Sequence, residues 1–232
     1  MIKKNRITHP EYGEIEITRN PRARRIILRA RPDAIYITLP TRATKEDLAR
    51  AIERYGAKLA AQKAELRTPA IAAGFRIDGE LFSFGIEEHA QNRFIMRYNG
   101  REATLLCPAG AELDKRQEWL KKVIKEAMRR RAQETLPQRL HELATKHSLQ
   151  YGKVSIRDSH TRWGSCSSRG DISLSIYLMT LPAEFIDYVL LHELCHTLEM
   201  NHSDRFWSKL DTLTGRDSKQ LRIALRKYKC NL

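Results

Sequence analysis

Residues 183–202 read AEFIDYVLLHELCHTLEMNH, and this stretch decides the fold of the second half of the chain. Pro182 suits the first turn of a helix, and the carboxylate of Glu184 complements the positive helix start. Apolar residues cover more than one face of that helix, which is typical of a central, buried helix. They are Phe185, Ile186, Val189, Leu190 and Leu194.

The same helix carries an H-E-x-x-H motif between His192 and His196. Four residues advance a helix by about 400°, so the two imidazoles lie on one face and can bind one ion. Glu193 is rotated by about 100°, where its carboxylate can act on a metal-bound water without being a ligand. Two imidazoles and a carboxylate buried in an apolar helix would be costly unless something polar, such as a metal, satisfies them. The motif therefore predicts a catalytic metal site with Glu193 as the catalytic residue.

A catalytic zinc site normally has three protein ligands and leaves one position for water. His202 follows His196 by six residues, as in the metzincin pattern H-E-x-x-H-x-x-G-x-x-H, although Glu199 stands where that pattern has Gly. The helix must end between the two histidines, and Asn201 can adopt the left-handed conformation that permits such an ending. We therefore expect one Zn²⁺ ion on His192, His196 and His202, with Glu199 as the alternative third ligand.

The ligand imidazoles should also have polar partners that orient them. The nearest candidates in sequence are Asn201, Ser203 and Asp204. A second segment, His141 to Thr145, begins like the motif but has Thr where the second ligand should be. We interpret that segment as a solvated helix face.

Before this helix, the chain predicts an α+β fold with a β-rich amino-terminal region. Thr44 is a plausible N-cap for one helix over residues 45–66, and Asn99-Gly100 is suited to a type I′ hairpin turn. Predicted strands cover residues 13–18, 24–30 and 34–40, and predicted hairpins cover 75–84 and 93–107.

A helical pattern over residues 112–147 should break or kink at Pro137, and strands are expected at 154–157 and 171–178. The boundary is placed near residue 110. Residues 1–110 then form a basic, β-rich region with one helix, and residues 111–232 form a mostly helical zincin-like catalytic domain with a small sheet.

The connection between the two late strands contains Arg162-Trp163-Gly164-Ser165-Cys166-Ser167. As a structural device it is a bend that contains Gly164 and is anchored by a buried Trp163. Its functional interpretation is that Arg162 or a backbone N–H binds substrate or stabilises an oxyanion. Residues 170–178 are the expected sheet edge to which an extended substrate adds.

These motifs resemble the YgjP-like zinc metallopeptidases, which are distantly related to SprT-like proteins and other zincins. The resemblance rests on three segments and extends across most of the chain. It implies a zincin-like active-site helix, zinc on the three histidines, a catalytic Glu193 and peptidase activity. One departure is Ser175, where many members carry Asn. The three segments are Arg162 to Cys166, Ile186 to His196, and Asn201 to Trp207.

Composition sets the remaining expectations. The formal net charge of +14 favours anionic partners, so weak binding of nucleic acid or another polyanion is expected through the basic surface, in addition to a peptide or protein substrate. Four widely spaced cysteines make no C-x-x-C pair and are expected to be free thiols. A signal-like segment and a membrane-spanning run are both missing from the sequence, which favours the cytoplasm.

Two other functions compete with the hydrolase. One is a nucleic-acid-associated protein in which the zinc is structural and the basic amino-terminal region does the binding. The other is a protein that mainly binds a partner and has latent activity. A closed structural site would require a fourth protein ligand, which the motif does not supply.

Overall fold

The computed structural model describes residues 4–65 and 70–229. Contacts divide the chain into two compact units, Met1–Pro69 and Ala70–Leu232. This division differs from the expected boundary near residue 110. The strands between residues 76 and 108 bury Phe84, Ile86 and Leu105 in the same core as the long helix that follows them, so they belong to the second unit.

The first unit is one sheet with one helix against it. Its strand order is β1-β2-β4-β3, with β2 and β4 parallel and the other pairs antiparallel. One face of the sheet packs Ile15, Ile35 and Ile37 towards Leu59 of the helix. The elements are β1 (Lys4–His9), β2 (Gly13–Arg19), β3 (Ile27–Ala30), β4 (Ile35–Leu39) and α1 (Lys45–Glu65).

The predicted strands and helix of this unit are confirmed. The Thr44 hydroxyl accepts a hydrogen bond from the Asp47 backbone N–H at 3.2 Å, as expected of an N-cap. The expected helix end at residue 66 lies outside the described residues.

The second unit contains two sheets and four helices among its described residues. A four-stranded sheet has the order β5-β6-β8-β7, and a three-stranded sheet has the order β10-β11-β9. Sheets and helices mix in this unit too, so the predicted α+β class is confirmed. The elements are β5 (Arg76–Asp78), β6 (Ser83–His89), β7 (Ile95–Asn99), β8 (Glu102–Pro108), α2 (Gln117–Lys146), β9 (Val154–Arg157), β10 (Gly164–Cys166), β11 (Ile172–Ser175), α3 (Ala183–Cys195), α4 (Asp204–Thr214) and α5 (Ser218–Leu225).

Both predicted hairpins form, but one turn differs from the expectation. Asn99 pairs with Glu102, so the two-residue loop is Gly100-Arg101. Gly100 has a φ of 58°, whereas Asn99 does not have a positive φ. The prediction of a type I′ turn at Asn99-Gly100 was therefore wrong, because that turn requires a positive φ at both residues and only Gly100 has one.

Pro137 does not break the long helix. α2 continues past it from Gln117 to Lys146, and buried Leu136 and Leu140 hold both sides of the proline in the core. Packing of an apolar helix face thus outweighs the loss of one backbone hydrogen bond at the proline.

The small sheet differs from the sequence expectation in two ways. β11 ends at Ser175, and a 3-10 helix occupies Ile176–Thr180. Residues 164–166, expected to be part of a bend, form β10 instead. Since β10 lies outside β11, the expected sheet edge at 170–178 was wrong: β11 is the central strand and β10 is an edge.

α3 is the buried helix that its apolar pattern predicts, with Leu190, Leu194 and Cys195 fully inaccessible. The Glu80 carboxylate accepts a hydrogen bond from the Ala183 backbone N–H at 3.2 Å, which places negative charge at the positive helix start. Within the described residues, every helix is too short or too polar to span a lipid bilayer.

A two-pronged ion pair joins α2 to α3. Arg139 donates from Nε and Nη2 to the two carboxylate oxygens of Asp187, at 2.8 and 2.6 Å. These contacts, together with Glu142, raise the pKa of Arg139 above its usual range. The pair therefore fixes the angle at which the motif-bearing helix crosses α2.

Replacing Asp187 by Asn should lower the free energy of unfolding by about 1 kcal/mol, because the amide carries no charge and keeps only one oxygen that can accept from Arg139. Urea denaturation followed by circular dichroism measures the change. The control is Lys121→Ala, which removes an exposed one-turn pair with Glu118 and should cost less than about 0.5 kcal/mol. Equal losses in both variants would contradict a special role for the Arg139 pair.

Candidate metal centre

Three imidazoles meet at the end of α3. His192 and His196 come from the helix and its C-cap, and His202 comes from the connection to α4. One ligand atom of each ring lies within 4.8 Å of the others, and the Nε2 atoms of His192 and His202 are 3.1 Å apart. The structure thus brings together the three histidines that the sequence predicts as ligands.

The Phe206 ring packs against all three imidazoles. Its ring centroid lies 5.0 Å from that of His192, 4.6 Å from that of His196 and 4.7 Å from that of His202. Phe206 is fully buried, and the Ser203 hydroxyl accepts a hydrogen bond from its backbone N–H as the N-cap of α4. The start of α4 therefore sets the position of His202 relative to α3.

The end of α3 orients one ligand ring. His196 Nδ1 donates to the carbonyl oxygen of Glu199 at 3.1 Å, which leaves Nε2 free to bind a metal. The Glu199 side chain is engaged elsewhere, because its carboxylate accepts from Lys209 Nζ at 3.1 Å. Glu199 thus contributes its backbone, whereas the sequence offered its carboxylate as an alternative ligand.

The expected orienting residues act differently as well. Ser203 caps α4, so its hydroxyl is used by a backbone N–H and not by an imidazole. Asn201 does not have the left-handed φ expected at the end of the helix; among the described residues other than glycine, Ser148 alone has a positive φ. The turn is made instead through the hydrogen bonds from Thr197, Leu198 and Glu199 back to the last turn of α3.

The chemistry of the cluster fits a divalent cation. Burial is the largest cause that lowers the pKa of His192 to about 3, and the neighbouring His196, His202 and Arg222 contribute to the same shift. Burial also lowers the pKa of His202. The neutral imidazole, which is the metal-binding form, is therefore favoured at His192 and His202 near neutral pH. A set of three imidazole nitrogens suits zinc.

Glu193 lies beside this cluster and is 5% exposed. Burial raises its pKa to about 8, and the charge of Arg162 opposes that shift. A carboxyl group whose pKa lies near neutrality can both take up and release a proton in a reaction. The predicted catalytic residue thus has the environment of a general acid and base.

Residues 24–228 match the family model described as YgjP-like, metallopeptidase domain. The chain belongs to the YgjP-like family. The family prediction made from the sequence is confirmed, and so is the predicted function as a metallopeptidase.

One solved structure is similar to this YgjP-like chain: the crystal structure of the metallopeptidase zymogen of Pyrococcus abyssi abylysin. The two are 25% identical, the match covers 40% of this chain and 94% of the other, and the TM-score is 0.36. Among the curated proteins, none matches the chain.

The Arg162-to-Cys166 motif of this YgjP-like chain packs against the Glu193 carboxylate. Gly164 begins β10 directly against Glu193, and a Cβ atom at position 164 would lie 2.6 Å from the Glu193 Oε1 atom. Trp163 is partly buried against the core. The motif is thus a close strand-to-helix approach and not the bend predicted from its glycine, although Trp163 does pack as expected.

Ser175, the departure from the family pattern, has a structural contact. Its hydroxyl donates to the carbonyl oxygen of Ser159 at 2.9 Å and accepts from the Tyr177 backbone N–H at 3.2 Å. Ser175 therefore links the end of β11 to the segment that leads to Arg162.

Cys195 lies between His192 and His196 in the sequence. Its thiol is fully buried, and Sγ donates to the carbonyl oxygen of Phe206 at 3.6 Å. Cys107, Cys166 and Cys195 are free thiols, as expected, and Cys230 lies outside the described residues.

Replacing Gly164 by Ala should lower peptidase activity by about 100-fold while bound metal is retained, because the new methyl group displaces the Glu193 carboxylate. Hydrolysis of a casein substrate and elemental analysis of the purified variant measure the two properties. Gly85→Ala is the matched control, since a Cβ at that strand glycine would meet no atom within 4 Å. Full activity in Gly164→Ala would mean that the carboxylate does not need this close approach.

Proposed function

We propose that this chain cleaves amide bonds in peptides or proteins with one zinc ion held by His192, His196 and His202. Glu193 is the general base and acid of the reaction. The observation that carries the proposal is the convergence of three imidazole nitrogens beside a buried carboxylate. When bound, the ion supplies Lewis acidity to the reacting groups.

The protein residues divide the remaining work. Glu193 takes a proton from the attacking water and returns it to the leaving amine. His196 is held in one tautomer by the Glu199 carbonyl oxygen, and Phe206 keeps all three rings in place. Burial by these neighbours limits the reorganisation that the reaction requires.

An extended substrate would pair with β10. This strand has β11 on one side only, and it lies next to α3 and Glu193. An open strand edge offers backbone donors and acceptors to a peptide, which gives affinity without demanding a particular sequence. Arg162, which directly precedes Trp163 and β10, is exposed and lines the cleft beside His192 and Glu193. It is therefore our candidate for contacting the substrate or the oxyanion.

A purely structural zinc site has less support. Within the part of the chain that the structure describes, the cluster consists of three histidines and no fourth His, Cys, Asp or Glu joins it. A closed structural site would have four protein ligands.

The cytoplasmic location and the weak binding of polyanions stay predictions.

Glu193→Gln should abolish hydrolysis, with a loss of at least about 100-fold, because glutamine cannot take the proton from water. Zinc content should stay at the wild-type level, since the side chain is not among the proposed ligands. Hydrolysis of an unfolded protein is measured beside elemental analysis of the same preparation. Retained hydrolysis would remove Glu193 from the mechanism.

His202→Ala should weaken zinc binding by more than the roughly 10- to 100-fold that is typical of losing a partner that only orients a ligand. Competition with a chromophoric chelator measures the affinity without any substrate. The control is His141→Ala, which removes an exposed imidazole from α2 outside the cluster. Equal affinities in the two variants would exclude His202 as a ligand.

A further inference from the structure

A cleft opens beside His192 and Glu193, between α3, α5 and the segment that leads into β10. Its volume is about 310 Å³. The floor is largely apolar, and three arginines stand around it. The apolar and aromatic lining consists of Trp163, Tyr188, Val189, Leu225 and Tyr228, and the charged lining includes Arg162, Arg222 and Arg226.

The positive charge of this cleft exceeds its negative charge, because three arginines line it and Glu193 is the one carboxylate among the lining residues. Among the described residues, no carboxylate forms an ion pair with Arg162, Arg222 or Arg226. The carboxylates of the adjoining helices have other partners. Asp211 accepts from the Ser218 backbone N–H at 2.8 Å, and Glu184 pairs with Arg216 at 2.7 Å. The cleft therefore retains a surplus of guanidinium groups.

Arg222 is the arginine best placed to act near the metal centre. Its guanidinium carbon lies 5.4 Å from the centroid of the Trp207 ring. Trp207 in turn contacts His202, with ring centroids 5.7 Å apart. Stacking on Trp207 limits the orientations of the guanidinium while its N–H donors stay available to a ligand.

A second polar group below the cleft has no partner. Tyr188 is 3% exposed and lines the cleft one helical turn before His192, and no atom of the described residues forms a hydrogen bond with its hydroxyl. A buried hydroxyl without a partner is costly, which makes such groups uncommon outside sites that bind a ligand. Tyr188 and Arg222 are thus two unused donors at the same cleft.

We propose that this cleft selects substrates that present a carboxylate next to an apolar side chain, with Arg222 as the residue that binds the carboxylate. The inference rests on the proposed peptidase function and names its substrate class. The planar guanidinium matches a carboxylate with two parallel hydrogen bonds, and the apolar lining accepts the neighbouring side chain. Cationic substrates are disfavoured by the same arginines.

A peptide has two sources of such a carboxylate. One is the side chain of an internal Asp or Glu, and the other is the free carboxyl group at the carboxyl terminus. Both present the same chemistry to Arg222, but a blocked terminus removes only the second. Peptides with free and amidated termini therefore distinguish them.

The test measures binding of matched fluorescent peptides to the zinc-loaded Glu193→Gln full chain, which does not consume them. The peptides differ only by Glu or Gln beside a common Phe, and each is made with a free or an amidated carboxyl terminus. The carboxylate peptide should bind about 10- to 100-fold more tightly than its neutral match. A second substitution, Arg222→Gln, should bring that ratio towards one, and Arg222→Lys should restore part of it.

The control is Arg97→Gln, which removes an exposed, unpaired arginine on β7 that does not line the cleft. This variant should keep the full preference for the carboxylate. Equal binding of acidic and neutral peptides, or a preference that survives Arg222→Gln, would overturn the inference.

Cleavage by the chain with Glu193 intact separates this inference from the proposed function. Metal-dependent cleavage without any preference for the carboxylate overturns only the selectivity. A preference in binding without cleavage of any peptide counts against the peptidase and leaves the selectivity standing.

Discussion

The cost of burying polar groups governs the structure of the second unit. α3 runs through an apolar core, yet it carries two imidazoles and a carboxylate that water cannot solvate there. The chain resolves this by directing the imidazoles to one point, where His202 joins them and the Phe206 ring supports all three. The apolar helix and the polar cluster are therefore parts of a single arrangement.

Two further features serve the same cluster. The Glu199 carbonyl oxygen orients the His196 ring at the point where α3 ends, so the termination of the helix also sets a tautomer. Gly164 lets the β10 backbone approach the Glu193 side chain more closely than any other residue type would allow. Backbone atoms thus contact two of the four polar side chains of the cluster, His196 and Glu193, and the Phe206 side chain packs against the three imidazoles.

Much of this centre could be predicted from local spacing. In a helix, the spacing of His192, Glu193 and His196 fixes the directions of their side chains. The strands predicted for the first unit coincide with its β-rich segments. Features that depend on tertiary contacts could not be predicted. β10 is a three-residue strand whose glycine indicated a bend, and Pro137 continues a helix only because the core packs Leu136 and Leu140 around it. The boundary between the two units likewise depends on which core buries the apolar faces of β6 and β8. The sequences of these strands do not specify that core.

The Cys195 thiol lies between His192 and His196 in the sequence, so its reactivity bears on how the site responds to oxidants. Burial raises the pKa of Cys195 to about 11, which disfavours the reactive thiolate at neutral pH. Its sulfur is also directed to the Phe206 carbonyl oxygen, away from the surface. A cysteine inside the motif, buried and protonated in this way, therefore gives peroxide little opportunity for attack.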